Sequence, residues 1–240
     1  MTHFGSLSGL AVVAVALSST SLLPVPASAQ GLSFRAPEGC DMFLTVQMKG
    51  CLVSHHWRCD TDPEGNHWAA LVGPSGAAVF SEFDSEFQWL SSYSLFNDSS
   101  ETMVDNPADP LSMTELLENG LDSFDFEMED AEGRTRVRGF DRLTGDEIEI
   151  DGERLLITDF QMIQTRDGEL VSESTGQQFV SPDLRQFFLG FETDTRDGES
   201  FESDNSPVQF IRPGEAGFAS AQPIFGCGAQ DISYRTGVLE

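Results

Sequence analysis

Turn signals recur along this chain at short intervals, and they constrain its fold more than any other feature. Pro74-Ser-Gly76, Glu132-Gly133, Thr144-Gly145, Asp151-Gly152, Asp167-Gly168 and Asp197-Gly198 punctuate the sequence. Glycine supplies the positive φ of a tight hairpin turn, and Asp-Gly is among the strongest hairpin signals. Between the turns apolar and polar residues alternate, as in Phe124-Asp-Phe126-Glu-Met128. Period two marks a strand with one face on a core and one in water. The pattern predicts a mainly β fold: an antiparallel meander curved into a half-barrel or barrel.

The meander is expected over 122–211, with strands near 122–130, 134–140, 146–151, 154–166, 169–180, 186–194 and 207–211. An N-terminal hairpin sheet over 40–94 precedes it, separated by a Ser/Asp-rich loop at 97–110. One short helix is expected at 112–119. Ser112 and Glu115 make a capping box, Leu116 and Leu117 an apolar face, and Gly120 stands just past the end. The Gly/Pro-rich tail, 213–240, runs across the surface until Cys227 ties it down.

The first 29 residues read as a secretory signal peptide. The apolar run Leu10–Leu17 is too short to span a bilayer, and Ala27-Ser28-Ala29 is an A-x-A cleavage site. The segment departs from the pattern in lacking Lys or Arg at its start. Cleavage after Ala29 leaves a single mature domain, 30–240, in the periplasm or secreted, with no second apolar run to serve as an integral membrane segment. Its 13 basic residues, of which only Lys49 is a lysine, face 40 acidic ones for a net charge of −27. Such a surface repels nucleic acid and anionic membranes. It suits a salt-rich medium where counterions screen self-repulsion, or else attracts cations or a basic protein partner.

Residues 40–59 allow a register to be written. A two-residue turn at Lys49-Gly50 pairs Met48 with Cys51, Val46 with Val53, Leu44 with His55, Met42 with Trp57 and Cys40 with Cys59. One face then collects Met42, Leu44, Val46 and Met48 with Val53, His55 and Trp57, while His56 faces water. Opposed Cα atoms lie within disulfide range. The expected bridges are therefore Cys40–Cys59 and Cys51–Cys227, although four cysteines allow three connectivities. An alternative is a metal or redox site built from Cys40, Cys51, His55 and Cys59, since thiolate and imidazole suit zinc or copper. An exported chain with an even cysteine count normally oxidises them instead.

Asp60-Thr-Asp62-Pro-Glu64-Gly65 resembles half of a calcium loop, but Leu71 stands where the bidentate Glu belongs. It reads as an acidic hairpin loop. G-x-S-x-G, H-E-x-x-H and both glycine-rich phosphate loops are missing. Carboxylates abound without any pair being singled out. The sequence leans away from an enzyme and implies no cofactor.

Gly50–Cys59 (GCLVSHHWRC), Asp62-Pro-Glu-Gly65 and Arg138–Gly145 (RGFDRLTG) resemble a family of exported proteobacterial proteins to which no activity is assigned. A meander with one helix is also similar in outline to the periplasmic lipoprotein-carrier fold, an incomplete barrel with an apolar hollow. That outline implies a periplasmic binding or carrier protein for a lipid or other hydrophobic small molecule. Phe124, Phe126, Phe140, Phe160, Phe179 and Trp57 are the candidate lining. An acidic envelope interaction protein without a small ligand is the alternative.

Overall fold

The computed structural model describes residues 32–76 and 78–228, together with Met1; the expected leader and its cleavage site at Ala29 lie outside the described residues. The strands are β1 (Cys40–Met48), β2 (Leu52–Cys59), β3 (His67–Val72), β4 (Ala78–Phe83), β5 (Trp89–Ser94) and β6 (Ser99–Met103). Helix α1 (Met113–Asn119) follows, then β7 (Leu121–Asp130), β8 (Gly133–Ile150), β9 (Glu153–Arg166) and β10 (Glu169–Ser181). The last are β11 (Gln186–Phe188), β12 (Phe191–Arg196), β13 (Glu199–Asp204) and β14 (Pro207–Ile211).

They form one antiparallel sheet that is not closed, in the order β13-β12-β10-β9-β8-β7-β6-β5-β4-β3-β2-β1-β14, with β11 added on β10. Apart from β11 and β12, which both pair with β10, neighbours in sequence are neighbours in the sheet until β14, which returns to pair with β1 at the far edge. The turns are those the sequence marks. Asp167 and Gly168 both hold positive φ, 53° and 85°, the mirror-image turn that matches strand twist. Asp151-Gly152 does the same between β8 and β9.

Four elements differ from the sequence expectation. The 97–110 loop contains β6, which pairs with both β5 and β7, so the N-terminal hairpins and the meander are one sheet. The expected strands 134–140 and 146–151 are a single strand, β8, with an irregularity between Leu143 and Glu147. Gly145 marks a bulge there, because β9 pairs on both sides of it. The expected strand 186–194 is divided into β11 and β12. At the division, a Cβ on Gly190 would stand 2.2 Å from the Gln177 carbonyl oxygen. Strand β13 lies outside the expected strands, since its six residues are all exposed and carry no alternation.

The largest correction is the register of β1 on β2. Near the disulfide the expected pairs are present, Cys40 with Cys59 and Met42 with Trp57. Beyond a bulge at Phe43 the pairing slips by one: Leu44 faces His56, Val46 faces Ser54 and Met48 faces Leu52. The slip is needed because the turn has three residues, with Cys51 in the left-handed region at φ 55°. A one-residue slip reverses the face of every side chain it moves relative to the partner strand. Ser54 and His56 therefore join Leu44, Val46 and Met48 on the inner side, and His55 and Trp57 turn outward.

The outward side of β1 and β2 is covered as well. Phe34 stacks on His55 at 4.5 Å, and Trp57 stacks on Trp68 at 6.3 Å. The segment before β1 pairs with the tail, through Phe34 N–H to Ala219 O and Ala221 N–H to Leu32 O, both 2.8 Å. That tail satisfies the buried polar groups of β1: Ala219 N–H donates to Thr45 Oγ1, and the Gln47 amide bonds Gln222 and Ile224. The disulfides are Cys40–Cys59 and Cys51–Cys227, the pairing expected from the sequence.

Side chains rather than a strand ladder draw the two arms of the sheet together. The Phe210 N–H, in β14, donates to the Asp151 carboxylate of the β8–β9 turn, and Arg212 reaches Glu153 at 2.5 Å. Beneath them Leu44, Val46, Met48, Leu155, Phe188 and Phe210 make one cluster. Helix α1 packs Met113 and Leu116 against Val180, Leu143 and Leu156. Its N-terminus is capped by Ser112 Oγ, which accepts from Glu115 N–H, and by Glu86, which accepts from Thr114 N–H.

Candidate functional site

Inside the curl lies a cavity of about 400 Å³, within the usual range of a small-ligand pocket. Its walls come from β1 through β11. Inward alternation on β7 places Phe124, Phe126 and Met128 on one wall, beside Phe160 and Met162 of β9. Trp89 and Leu111 complete that wall and pack into the same cluster.

Three of the sequence candidates line the cavity: Phe124, Phe126 and Phe160. Phe140 does not. Phe124 pairs with Gly139 across β7 and β8, so Phe140 points to the opposite face, beneath the Arg142 guanidinium. Phe179 pairs with Phe188 and packs on the cluster around Leu155. Trp57 sits on the outer side, for the register reason above. Gly139 leaves room for the Phe124 ring, since a Cβ there would meet Phe124 Cζ at 2.7 Å and Gln161 O at 2.0 Å. Gly139→Ala is expected to destabilise by about 1–3 kcal/mol through overpacking, as read from the midpoint of urea unfolding.

The alternative metal set does not assemble. All four cysteines are in disulfides, and His55 turns away from the cavity to bond Thr45 Oγ1 at 3.1 Å. Among the described residues no group of three or more His, Cys, Asp or Glu side chains is placed to hold a metal ion.

Polar groups missed by sequence reasoning enter the cavity instead. His56 is buried rather than facing water; its Nε2 lies 2.9 Å from Ser54 Oγ, and its Nδ1 has no partner. His67 bonds the Gly65 backbone and leaves Nε2 unpartnered. Burial pushes His56 down to about 3 and His67 down to about 4, with nearby His67 and His55 adding to the shift at His56. Both imidazoles are neutral at neutral pH.

Asp141 also lines the cavity. It stands directly across from Asp122 in the β7–β8 ladder, and the two are only 5% and 2% exposed. Burial, and then the Asp122 charge, push Asp141 up to about 7. Burial pushes Asp122 up to about 6 against the Ser112 N–H, which donates to Asp122 Oδ2. A signal for this pair exists in the sequence: Asp122 continues the inward alternation of Phe124, Phe126 and Met128. A carboxyl on the apolar face of a strand is the observation to look for.

Comparison with known proteins adds no identity. No family model, curated protein or solved structure matches this chain. The chemistry of the site therefore rests on its geometry: a mostly apolar hollow, two neutral imidazoles with free ring nitrogens, and a buried carboxyl pair.

Proposed function

We propose that this protein is an exported binding or carrier protein that holds a hydrophobic small molecule in the cavity of its curled sheet. The observation that carries the reading is the hollow itself. Interiors normally close-pack with few voids larger than a water molecule, yet Phe124, Phe126, Phe160 and Trp89 surround about 400 Å³ of open volume. Export is supported by the two disulfides, which persist in oxidising compartments, and by the leader-like first 29 residues. The outline is similar to the lipoprotein-carrier architecture, which is an argument from fold alone.

Native mass spectrometry of protein isolated from its producing cell, with and without denaturation, tests the reading. A lipid-sized excess lost on denaturation is the expected result. In parallel the neutral dye N-phenyl-1-naphthylamine is expected to bind saturably, one per chain. Ala69 lines the cavity, and Ala69→Trp, which puts an indole into the hollow, is expected to weaken the dye at least about tenfold. A bare mass together with no saturable dye binding overturns the proposal.

A further inference from the structure

The cavity has a charge signature that selects its ligand. Its lining contains Asp141 and Glu101 but neither Lys nor Arg, and the whole chain carries a net charge of −27. The Asp141 carboxyl makes no hydrogen bond to another described residue, although the residue is only 5% exposed; burial and the Asp122 charge are what act on it. Its neighbour Asp122 spends one oxygen on the Ser112 N–H and leaves Oδ1 unpartnered. The charged groups that act on the pair are acids too: Glu115 of α1, Asp109 and Glu86. Glu86 is itself paired with Arg185 at 2.8 Å. The nearest cation along the strand, Arg142, is engaged with Asp159 at 3.3 Å.

Resting on the carrier reading, we propose that the ligand is an amine-bearing amphipath, its ammonium seated on Asp141 with Asp122 behind, and that the cavity rejects the carboxylate head of a fatty acid. A buried carboxyl without a cation or hydrogen-bond donor is an unfavourable arrangement. An incoming ammonium supplies both charge and donors, in the strong charge-assisted bond. An incoming carboxylate meets like charge with nothing to offset it. Phe160 lies directly across from Asp141 in the β8–β9 ladder, and aromatic faces favour a cation beside them. The unpartnered His67 Nε2, also on the cavity wall, adds a neutral acceptor and no positive charge. Asp141 opposes stability in the empty protein, which is the mark of a group held for binding.

The test compares three probes of one chain length, dodecylamine, dodecanol and laurate, as displacers of N-phenyl-1-naphthylamine. The full disulfide-intact protein is used at neutral pH in high salt, which screens the exposed surface charge. Dodecylamine is expected to displace the dye at least about tenfold more tightly than dodecanol, with laurate the weakest. In Asp141→Asn the amine-to-alcohol ratio is expected to fall to about one; Asp122→Asn, as a second variant, reduces it by a smaller factor. The preference is also expected to decline as the pH falls below about 6, where the pair takes up protons while the amine stays charged. Equal binding of the three probes overturns the inference and leaves the carrier reading standing. So does an amine preference that survives both substitutions, since it then comes from the acidic surface. Failure of the dye and of all three probes to bind overturns the carrier reading, and this inference with it.

Discussion

Replacing Cys51 and Cys227 by serine is expected to remove about 5 kcal/mol of stability. The bridge spans 176 residues, and a cross-link restricts the unfolded chain more as the loop it closes grows. Cys40–Cys59, with a separation of 19, contributes about 3 kcal/mol on the same account. The local structure supports the ranking. Cys40 and Cys59 end two strands already paired in register, whereas Cys227 holds a tail without regular strands against the outer face of β1. That tail approaches the β1–β2 turn so closely that a Cβ on Gly226 would fall 1.5 Å from the Lys49 carbonyl oxygen. Cys51 N–H donates to Phe225 O at 3.0 Å. Without the bridge, the tail that satisfies Thr45 and Gln47 is free to lift, exposing a strand built to be buried on both faces. Guanidinium unfolding of the two double-serine variants measures the ranking. A smaller loss for Cys51/Cys227 than for Cys40/Cys59 would show that the tail is held without its staple.

The second large effect is a gain. Asp141→Asn is expected to stabilise the empty protein by about 2–4 kcal/mol above pH 7, because Asp141 is pushed up to about 7 from 3.8. A carboxyl raised on folding makes the folded state bind more protons than the unfolded one between those values. Stability from this group is therefore full below pH 3.8 and is lost as the pH rises toward 7. The gain on substitution should shrink steadily on acidification and be nearly gone by about pH 4.

The three buried histidines act with the opposite sign. His55 and His67 are lowered to about 4 and His56 to about 3, so the unfolded state binds more protons below pH 6.5. Stability from these groups is lost as the pH falls through that window. Three lowered histidines outweigh the two raised carboxyls, so the stability of the wild-type protein rises from about pH 4 and levels off between about pH 7 and 8. Asp141→Asn should make that rise steeper, since it removes one of the two opposing carboxyls. Thermal unfolding from pH 4 to 8 reads both results, and an Asp141→Asn variant less stable than wild type at pH 8 would contradict the burial argument.

Much of the architecture was legible locally. Alternation over Asp122–Met128 identified β7 and its inner face, because successive side chains of a strand must point opposite ways. Asp167-Gly168 fixed a turn, since both residues tolerate positive φ. Ser112, Glu115 and Gly120 marked the helix by the groups that satisfy its ends. Even the Cys40–Cys59 pair followed from counting across a hairpin.

What failed was whatever depended on a partner distant in sequence. A two-residue turn puts His56 in water, whereas the turn has three residues, with Cys51 N–H donating to Lys49 O and to Phe225 O of the tail, and a compensating bulge at Phe43. Phe140 and Phe179 are candidates because they are large and apolar, but each is next in the strand to a residue that lines the cavity, Asp141 and Gln178, and so points to the opposite face. Sequence by itself determined most of the strands, the Asp-Gly turns and the helix near 112–119, which are set by backbone preference and side-chain period within a few residues; the Cys40–Cys59 pair follows from the hairpin, and Cys51–Cys227 from what it leaves over. Tertiary structure alone decided that β14 returns to β1, that the sheet curls around an open hollow, and that Asp122 and Asp141 meet at its wall. Those outcomes depend on which faces the long-range pairing turns toward each other, and period two is the same for either face.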